Sequence, residues 1–562
     1  MYQQVFNPLA HSLNLSALFA ALPLLVLFVL LGVLRVRAWV AGLTGLALAL
    51  VVAIAVYGMP LGQALLAASD GGAFGLFPAM WIVLNAIWVY RMTVETGHFD
   101  VLRRSFAQVS DDQRIQAIII AFCFGALMEA LAGFGTPVAI SAVMLIALGF
   151  APLKAATVAL VANTAPVAFG AVALPVITLA KVTALPVADL GSMVGRQTPL
   201  LAVFVPLVLV FIVGGRRGIA ETWPVAVVAG VVFAVLQFAM ANYGPLELVD
   251  IVASLGSALA VVLFVRVWHP RHVYNESEDV AARAALGGRV IAGGASESLD
   301  PAFVGRVEGH QPEVRDTATE VARAYAPYII IIAVFSIAVI PAVKTWLASL
   351  TKMFAWPGLH VTSPTGAPLS LIQFNFNWAA SPGTLLLVCG LLSMPVLGIG
   401  PGRAVRAYRQ TVDQLKWAVL TVVSVLALAY VMNASGQTGT LGKFCSQVGG
   451  IFALFSPLLG WFGTALTGSD TSSNALFGAL QVAAGKGNNV HPVLLAAGNS
   501  SGGVLGKMIS PQNLAVGASA VGLAGKEGDL FRQVFKWTLV FLPFMCVLVY
   551  LQSTSLLGWM VP

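Results

Sequence analysis

The sequence predicts an all-α polytopic membrane protein with about 12 transmembrane helices in two inverted repeats, each with a re-entrant hairpin and a broken helix. Three observations predict this fold. Of the 562 residues, 59% are hydrophobic and 9% are charged, whereas about 25% are charged in soluble globular domains. The apolar residues form runs of about 20 residues, which is long enough to cross a bilayer. Polar interruptions of these runs recur in the second half of the chain at a nearly constant offset.

Twelve segments are expected to span the membrane. The uninterrupted ones are 14–34, 38–58, 73–93, 199–214, 222–242, 247–267, 326–343, 379–399, 414–433 and 530–551. Two more spans, 153–180 and 491–523, are interrupted at Asn163 and Asn499. Segments 114–149 and 446–485 each have two shorter apolar arms around a Gly-rich tip, and we interpret them as re-entrant hairpins. Two ordinary spans in each segment are the alternative. The first apolar run ends in basic residues without a cleavage site, so it is expected to be a span and not a signal peptide.

An internal repeat divides the chain. At an offset of 336, the second half repeats polar and helix-breaking residues of the first in these pairs: Asn163 and Asn499, Thr164 and Ser500, Gly170 and Gly506, Pro175 and Pro511. We predict a first repeat over 1–215, two linking spans with a cytoplasmic loop over 216–325, and a second repeat over 326–562. The polar stretch 268–325 is expected to be a flexible loop. Paired interruptions in two halves indicate the binding site of a transporter.

Charge sets the expected orientation. With the N-terminus outside, most of the 30 Lys and Arg residues fall inside, as the positive-inside rule requires. The basic residues that this orientation leaves outside are Lys181, Arg196, Lys344, Lys352, Lys443 and Lys486. Twelve spans then place both termini outside a bacterial cytoplasmic membrane, and the two linking spans invert the topology of the second half.

Several classes of function are disfavoured by the sequence. The net charge of +7 is spread over membrane-flanking loops, so no nucleic-acid partner is expected. The four Cys have no CxxC spacing, so neither a metal site nor a disulfide framework is expected. The His residues lie in loops or at span edges, and no HExxH or GxSxG motif occurs, which makes a membrane-embedded enzyme the least favoured class. A channel stays an alternative, although buried titratable groups and paired interruptions favour alternating access.

Two polar stretches inside apolar regions hold the candidate site: 466–480 and 499–512. Ionisable residues at membrane depth mark functional sites by default. Glu129 and Asp470 are candidate proton carriers, because a low-dielectric site favours a neutral carboxyl group; the alternatives are a permanent pairing with Lys507 or solvation at a tip. Lys507 is a candidate anchor for an anion, and a fixed salt bridge to Asp470 is its alternative.

Short polar side chains would supply further donors and acceptors. The candidate substrate-binding residues of this kind are Ser472, Ser473, Asn474, Asn499, Ser500, Ser501, Asn163 and Thr164. Hydrogen bonding between helices is the alternative role for such residues, but their matched positions favour a site. Composition and spacing thus predict a proton-coupled transporter of a small anion, with no cofactor besides the proton.

Several long motifs resemble the bacterial lactate permease family. They are FCFGALMEALAGFGTPVAI at 122–140, NTAPVAFGA at 163–171, LTGSDTSSNALF at 466–477, GKMISPQ at 506–512 and VGLAGKEGDLFR at 521–532. The similarity extends over nearly the whole chain. Two positions beside Glu129 depart from the family pattern: Leu131 replaces a small residue, and Thr136 replaces Ala.

The resemblance implies proton-driven uptake of L-lactate, with D-lactate and glycolate as related substrates. For such a 2-hydroxy acid we assign the carboxylate to Lys507, to the Asn499–Ser501 interruption and to backbone amides at 472–474. We assign the substrate hydroxyl to Asn163 or Thr164. Another small organic anion is the alternative substrate, and the oligomeric state is left open.

Overall fold

The computed structural model describes residues 2–34, 36–107, 109–131, 133, 135–275, 316–369, 372–523 and 526–562. Most of the loop expected at 268–325 therefore lies outside the described residues.

The first half of the chain is helical. Its helices are α1 (Leu13–Phe28), α2 (Ala38–Ala55), α3 (Leu61–Phe74), α4 (Trp81–Glu95), α5 (His98–Ala107), α6 (Gln113–Gln116), α7 (Gly125–Leu131), α8 (Thr136–Ala147), α9 (Pro152–Ala162), α10 (Gly170–Thr183), α11 (Val187–Ala202), α12 (Val205–Tyr243) and α13 (Val249–Val265). Helical segments with π geometry, Val29–Val33, Gly75–Met80 and Ala117–Phe124, continue α1, join α3 to α4 and join α6 to α7.

The second half has the same character. Its helices are α14 (Ala318–Ala338), α15 (Pro341–Ser349), α16 (Pro382–Leu397), α17 (Pro401–Ser435), α18 (Gln437–Ser446), α19 (Phe452–Thr467), α20 (Asp470–Asn488), α21 (Pro492–Lys507), α22 (Pro511–Ala520) and α23 (Glu527–Gln552). Four short strands, β1 (Tyr2–Gln3), β2 (Lys352–Ala355), β3 (Val361–Thr362) and β4 (Gln373–Phe376), form the pairs β1–β3, parallel, and β2–β4, antiparallel.

Ten helices in the described part are long and apolar enough to cross a membrane, and one bent pair raises the number to eleven. The polytopic all-α fold is thus confirmed, with slightly fewer spans than the twelve expected. The span expected at 379–399 is a helix of 16 residues, and that at 491–523 is two helices of 16 and 10 residues. The first arms of the two hairpins, Gln113–Leu131 and Gly449–Thr467, are each 19 residues long. Re-entry of the hairpins therefore stays a prediction.

The 57-residue helical run Val187–Tyr243 folds back on itself. Gly215 adopts φ +63° and ψ −154°, which is not helical. The backbone after Gly215 packs closely against the backbone before it. A Cβ on Gly218 would lie 3.0 Å from the Val210 carbonyl oxygen, and a Cβ on Gly230 would lie 2.4 Å from the Val203 carbonyl oxygen. The run therefore forms two antiparallel arms that meet at Gly215, which agrees with the separate spans expected at 199–214 and 222–242.

The interruption expected at Asn163 is present. Helix α9 ends at Ala162, and the bent pair Pro152–Ala162 and Val167–Thr183 turns by 64°. Pro166 contributes, since a residue before proline is disfavoured in helical geometry.

The interruption expected at Asn499 is wrong. Helix α21 runs without a break to Lys507, and the chain leaves helical geometry at 508–510, before Pro511. Asn499 and Ser500 are compatible with a helix interior because side chains of neighbouring helices satisfy their polar groups. The glycines of α21 pack against α19, where a Cβ on Gly506 would lie 2.1 Å from the Trp461 carbonyl oxygen.

The two halves interlock reciprocally. Helix α10 packs against α20, and α22 packs against α8. By the offsets of the sequence repeat, α10 corresponds to α22 and α8 to α20, so the second contact is the counterpart of the first. An inverted arrangement of the repeats, and the division at 215 and 325, stay predictions that this packing supports.

Candidate functional site

A small cavity lies where the hairpin tips and the helix interruptions of both halves meet. Its volume is about 40 Å³. We call it the central cavity; its lining residues are Glu129, Gly133, Val167, Gly170, Ala171, Leu174, Pro175, Gly468, Ser469, Asp470, Thr471 and Lys507. It therefore brings together the three ionisable residues that the sequence singles out.

Lys507 pairs with Glu129 across the cavity. The two residues are 5% and 3% exposed, and the Lys507 ammonium donates to Glu129 Oε1. The other carboxylate oxygen, Oε2, accepts a hydrogen bond of 2.9 Å from Asn163 Nδ2. The salt bridge to Asp470 that was the alternative for Lys507 is wrong, since the pairing is with Glu129. That pairing was an alternative for Glu129 itself.

Asp470 lies at the first position of α20, directly after the capping residue Ser469. It is 2% exposed. Its carboxylate accepts hydrogen bonds from Ser500 Oγ at 2.7 Å, Asn474 Nδ2 at 3.2 Å and Thr464 Oγ1 at 3.4 Å. Glu129 accepts from Asn163, and Asp470 accepts from Ser500. Both donors lie in the segments that the repeat matches, Asn163–Thr164 and Asn499–Ser500, so the two carboxylates are held in a similar way.

A chain of amide side chains connects Asp470 to the other half. Asn499 Nδ2 donates to Asn474 Oδ1 at 3.0 Å, and Gln481 Nε2 donates to Asn499 Oδ1 at 3.2 Å. Asn474 Nδ2 also donates to the Pro175 carbonyl oxygen, 3.2 Å away in α10. Asn474 and Asn499 therefore lie behind Asp470, where they join α20, α21 and α10.

Three of the predicted hydroxyl groups bond to the protein outside the lining of the central cavity. Ser473 Oγ donates to the Gly460 carbonyl oxygen at 2.9 Å, and Ser501 Oγ donates to Gln197 Oε1 at 2.7 Å. Thr164 Oγ1 donates to the Val161 carbonyl oxygen at 2.7 Å. Ser473 and Ser501 thus make the bonds between helices that the sequence left as the alternative, whereas Thr164 makes a local bond to a residue three positions earlier.

The backbone amides available to an anion differ from those expected. Ser469 Oγ accepts the Ser472 amide at 3.3 Å, and the Ser469 carbonyl accepts the Ser473 amide at 3.0 Å. Within the described part of the chain, no acceptor pairs with the amides of Asp470 and Thr471, which border the central cavity. These amides form the N-terminus of a 19-residue helix, a position that favours anions.

Two glycines allow the Asp470 and Glu129 carboxylates to lie against the backbones of α21 and α10, respectively. A Cβ on Gly503 would lie 1.9 Å from Asp470 Oδ1, and one on Gly170 would lie 2.8 Å from Glu129 Oε1. Any larger residue at either position would have to displace the carboxylate beside it.

The sequence interpretation missed two buried carboxylates that have an oxygen atom without a hydrogen-bond partner among the described residues. Asp250 is 1% exposed; Oδ1 accepts from Gln237 Nε2 at 3.1 Å, and Oδ2 has no hydrogen-bond partner among the described residues. It lies inside the span expected at 247–267, so the rule used for Asp470 could have found it. Asp70 is fully buried in α3, and neither carboxylate oxygen has a hydrogen-bond partner in the described part. It was missed because 73–93 was expected as the span.

A larger cavity approaches the central one from one face of the protein. We call it the Arg37 cavity; its volume is about 580 Å³, and exposed Arg37 and Trp417 lie among its lining residues. Gly468 and Ser469 line both cavities, whereas Ser472 lines the Arg37 cavity but not the central cavity. The tip between α19 and α20 thus separates the central cavity from a path to the surface. In the described residues, no group of three His, Cys, Asp or Glu could hold a metal ion.

Comparisons with known proteins show which family the chain is similar to. The family model described as L-lactate permease matches residues 16–556. The chain is 39% identical to the L-lactate permease of Bacillus subtilis, with 100% of both chains covered. It is 40% identical to the glycolate permease GlcA of Escherichia coli, over 100% of this chain and 99% of that protein. Among solved structures, MtrF of Neisseria gonorrhoeae is similar over 87% of this chain and 83% of its own, at 12% identity and a TM-score of 0.44. Because the family match and the full-length relatives cover nearly every residue, the chain belongs to the L-lactate permease family and is a multi-pass membrane permease, not an enzyme.

Proposed function

We propose that this chain is a secondary active transporter that takes up L-lactate, and the related acids D-lactate and glycolate, together with protons across a bacterial cytoplasmic membrane. The observation that carries the proposal is the central cavity, where one cation and two carboxylates face each other between the two halves of the chain. The names of the full-length relatives, L-lactate permease and glycolate permease, support the substrate class.

The substrate carboxylate would bind to Lys507 and to the open amides of Asp470 and Thr471. A buried ammonium requires a counter-charge, and in the present structure Glu129 supplies it. The substrate would take over this role, with its hydroxyl group directed to Asn163, whose amide lies against Glu129.

This exchange of partners couples protons to substrate. While Glu129 is ionised, it neutralises Lys507, and an entering anion would add an uncompensated charge to a buried site. Protonation of Glu129 releases Lys507, so the anion then binds against a free cation. Asp470 acts on the same cavity by repulsion, and its protonation would also favour the anion. A ligand shifts a conformational equilibrium only through such differential affinity.

The cavity volume supports a conformational change on binding. A cavity of about 40 Å³ holds a few water molecules at most, since one water molecule requires roughly 10–15 Å³ of such space. A lactate ion therefore needs the walls to separate, and the tip at Gly468–Ser469 is the wall between this cavity and the Arg37 cavity. We propose that displacement of this tip opens the site to that face.

Uptake into right-side-out vesicles or proteoliposomes tests the function. Labelled L-lactate should accumulate when the outside is acidic, and a protonophore should abolish the accumulation. Unlabelled glycolate and D-lactate should compete, and pyruvate, which lacks the hydroxyl group, tests whether that group is recognised. Uptake that ignores both the protonophore and the pH gradient would show that proton symport is wrong. Empty liposomes and the Lys507→Met/Glu129→Gln variant, which removes the anion anchor together with its counter-charge, are the controls.

A further inference from the structure

A third cavity lies on the face opposite the Arg37 cavity. We call it the lysine cavity; its volume is about 500 Å³, and its lining includes Lys181, Lys443 and Lys486 together with Gln4 and Phe6. Helix α1 and its π continuation separate the two faces, because Gln4 and Phe6 precede this segment and Arg37 follows it. At a rise of 1.5 Å per residue, the segment is about 30 Å long, which is the thickness of a bilayer core.

The charge of this cavity is unusual for its side of the membrane. The expected orientation leaves only six basic residues outside, and three of them line this one cavity. None of its described lining residues is Asp or Glu. Lys181 donates to the Gln373 carbonyl oxygen at 2.6 Å and interacts electrostatically with buried Asp70. Lys443 and Lys486 are exposed, and the Lys443 ammonium lies over the Phe6 ring, 4.9 Å from its centroid.

The lysine cavity shares two of its lining helices with the central cavity. Its lining includes the last turns of α10 and α20, at Lys181 and Lys486, and the first residues of the same helices, Gly170 and Asp470, line the central cavity. Along the axis of α20 the distance is about 24 Å. In α10, Ala171–Ala173 have positive φ, so the regular helix runs from Leu174 to Lys181 and is about 11 Å long. The lysines are too far away to contact an anion in the central cavity, but they lie at the other end of the helices that form it.

We infer that the lysine cavity is an outer vestibule that collects small carboxylate anions before they enter the central site. The inference rests on the proposed function for the identity of the transported anion. A concave surface of one charge raises the local concentration of the opposite ion and accelerates its capture, an effect that salt weakens. The vestibule thus determines the rate of anion capture and not the affinity of the occupied central site.

A purely structural role makes a different prediction. Lys181, Lys443 and Lys486 each occupy the last turn of a helix, where a cation stabilises the helix dipole. If stabilising the helix ends were the whole role of these lysines, replacing them by glutamine would lower the melting temperature of the protein without changing the salt dependence of lactate uptake.

Transport kinetics provide the first test. In Lys443→Gln/Lys486→Gln, the KM for lactate uptake should rise about three- to tenfold at about 0.01 M salt and match the wild type at about 1 M salt, with kcat unchanged. The matched control is Lys344→Gln/Lys352→Gln, which removes two exposed charges of the same expected side from outside the cavity. Lys181 is kept because of its bond to Gln373. Equal KM values for the two variants at low salt would overturn the inference.

Thiol labelling provides a second test that does not require transport. Ala479 lines the cavity and is half-buried, so Ala479→Cys in a Cys445→Ser background reports the local potential. An anionic sulfonate thiol reagent should react faster than its trimethylammonium counterpart, and Lys443→Gln/Lys486→Gln should remove most of this preference. Absence of the preference with all lysines present would refute the vestibule even if lactate uptake is normal. Failure of lactate uptake with the preference intact would instead refute the proposed function.

Discussion

Replacing Lys507 by Met should destabilise the protein strongly, because it leaves the Glu129 carboxylate buried without a counter-charge. The two side chains are 7% and 4% exposed and pair with each other. Removal of one partner of a buried ion pair costs about 3–5 kcal/mol. The hydrogen bond from Asn163 remains in the variant, and it prevents the loss from being larger.

The double variant Lys507→Met/Glu129→Gln should recover most of this loss. The Gln oxygen can still accept from Asn163, and a neutral side chain needs no counter-charge, so the buried pair becomes a nearly neutral replacement. The exposed pair Lys416–Asp413, at 3.7 Å, supplies the control; Lys416→Met should cost less than about 1 kcal/mol.

Denaturant unfolding of the detergent-solubilised protein, followed by tryptophan fluorescence, gives the free energies for this cycle. The double variant should be stable but should not transport lactate, because the anion anchor is absent. A Lys507→Met variant as stable as the wild type, or a double variant as unstable as the single one, would show that the buried pairing is not energetically important and would refute the reasoning.

Two further predictions concern the site and the topology. Gly503→Ala should displace the Asp470 carboxylate, since the added Cβ would lie 1.9 Å from Oδ1, and it should cost about 1–3 kcal/mol of stability and reduce lactate exchange. The control Gly528→Ala, whose Cβ would meet no atom within 4 Å, should change neither stability nor exchange. Equal exchange in both variants would contradict the packing. A reporter that is active only in the periplasm should be active after Pro562 and silent near Gly293, which lies outside the described residues, and the opposite pair of signals would reverse the proposed orientation.

Local chemistry made several features predictable from the sequence. The interruption after Ala162 follows from Pro166, and the tip at Gly468 follows from a Gly–Ser–Asp sequence that caps the next helix. These signals lie within a few residues of the feature that they determine.

Other features depend on contacts that no local pattern contains. Asn499 looked like a helix break because its polar partners, Asn474 and Gln481, are on another helix. The partner of Lys507 is 378 positions away in the sequence, and its pairing depends on how the two halves interlock. Membrane depth could have identified Asp250, but not the Gln237 amide that bonds to it.

The pairing of Lys507 with Glu129, and not with Asp470, makes the roles of the two carboxylates separable by neutral substitution. Glu129→Gln and Asp470→Asn imitate the protonated side chains, so each carries no net charge into the site. In the carrier of the coupled proton, such a change should permit exchange of bound lactate but prevent its accumulation by a pH gradient.

Lactate counterflow and pH-driven accumulation, measured on the same proteoliposomes, therefore test the central claim most directly. For at least one of the two variants, Glu129→Gln or Asp470→Asn, counterflow should stay near the wild-type rate while pH-driven accumulation is lost. Full pH-driven accumulation in both variants would contradict the account, because neither carboxylate would then carry the proton.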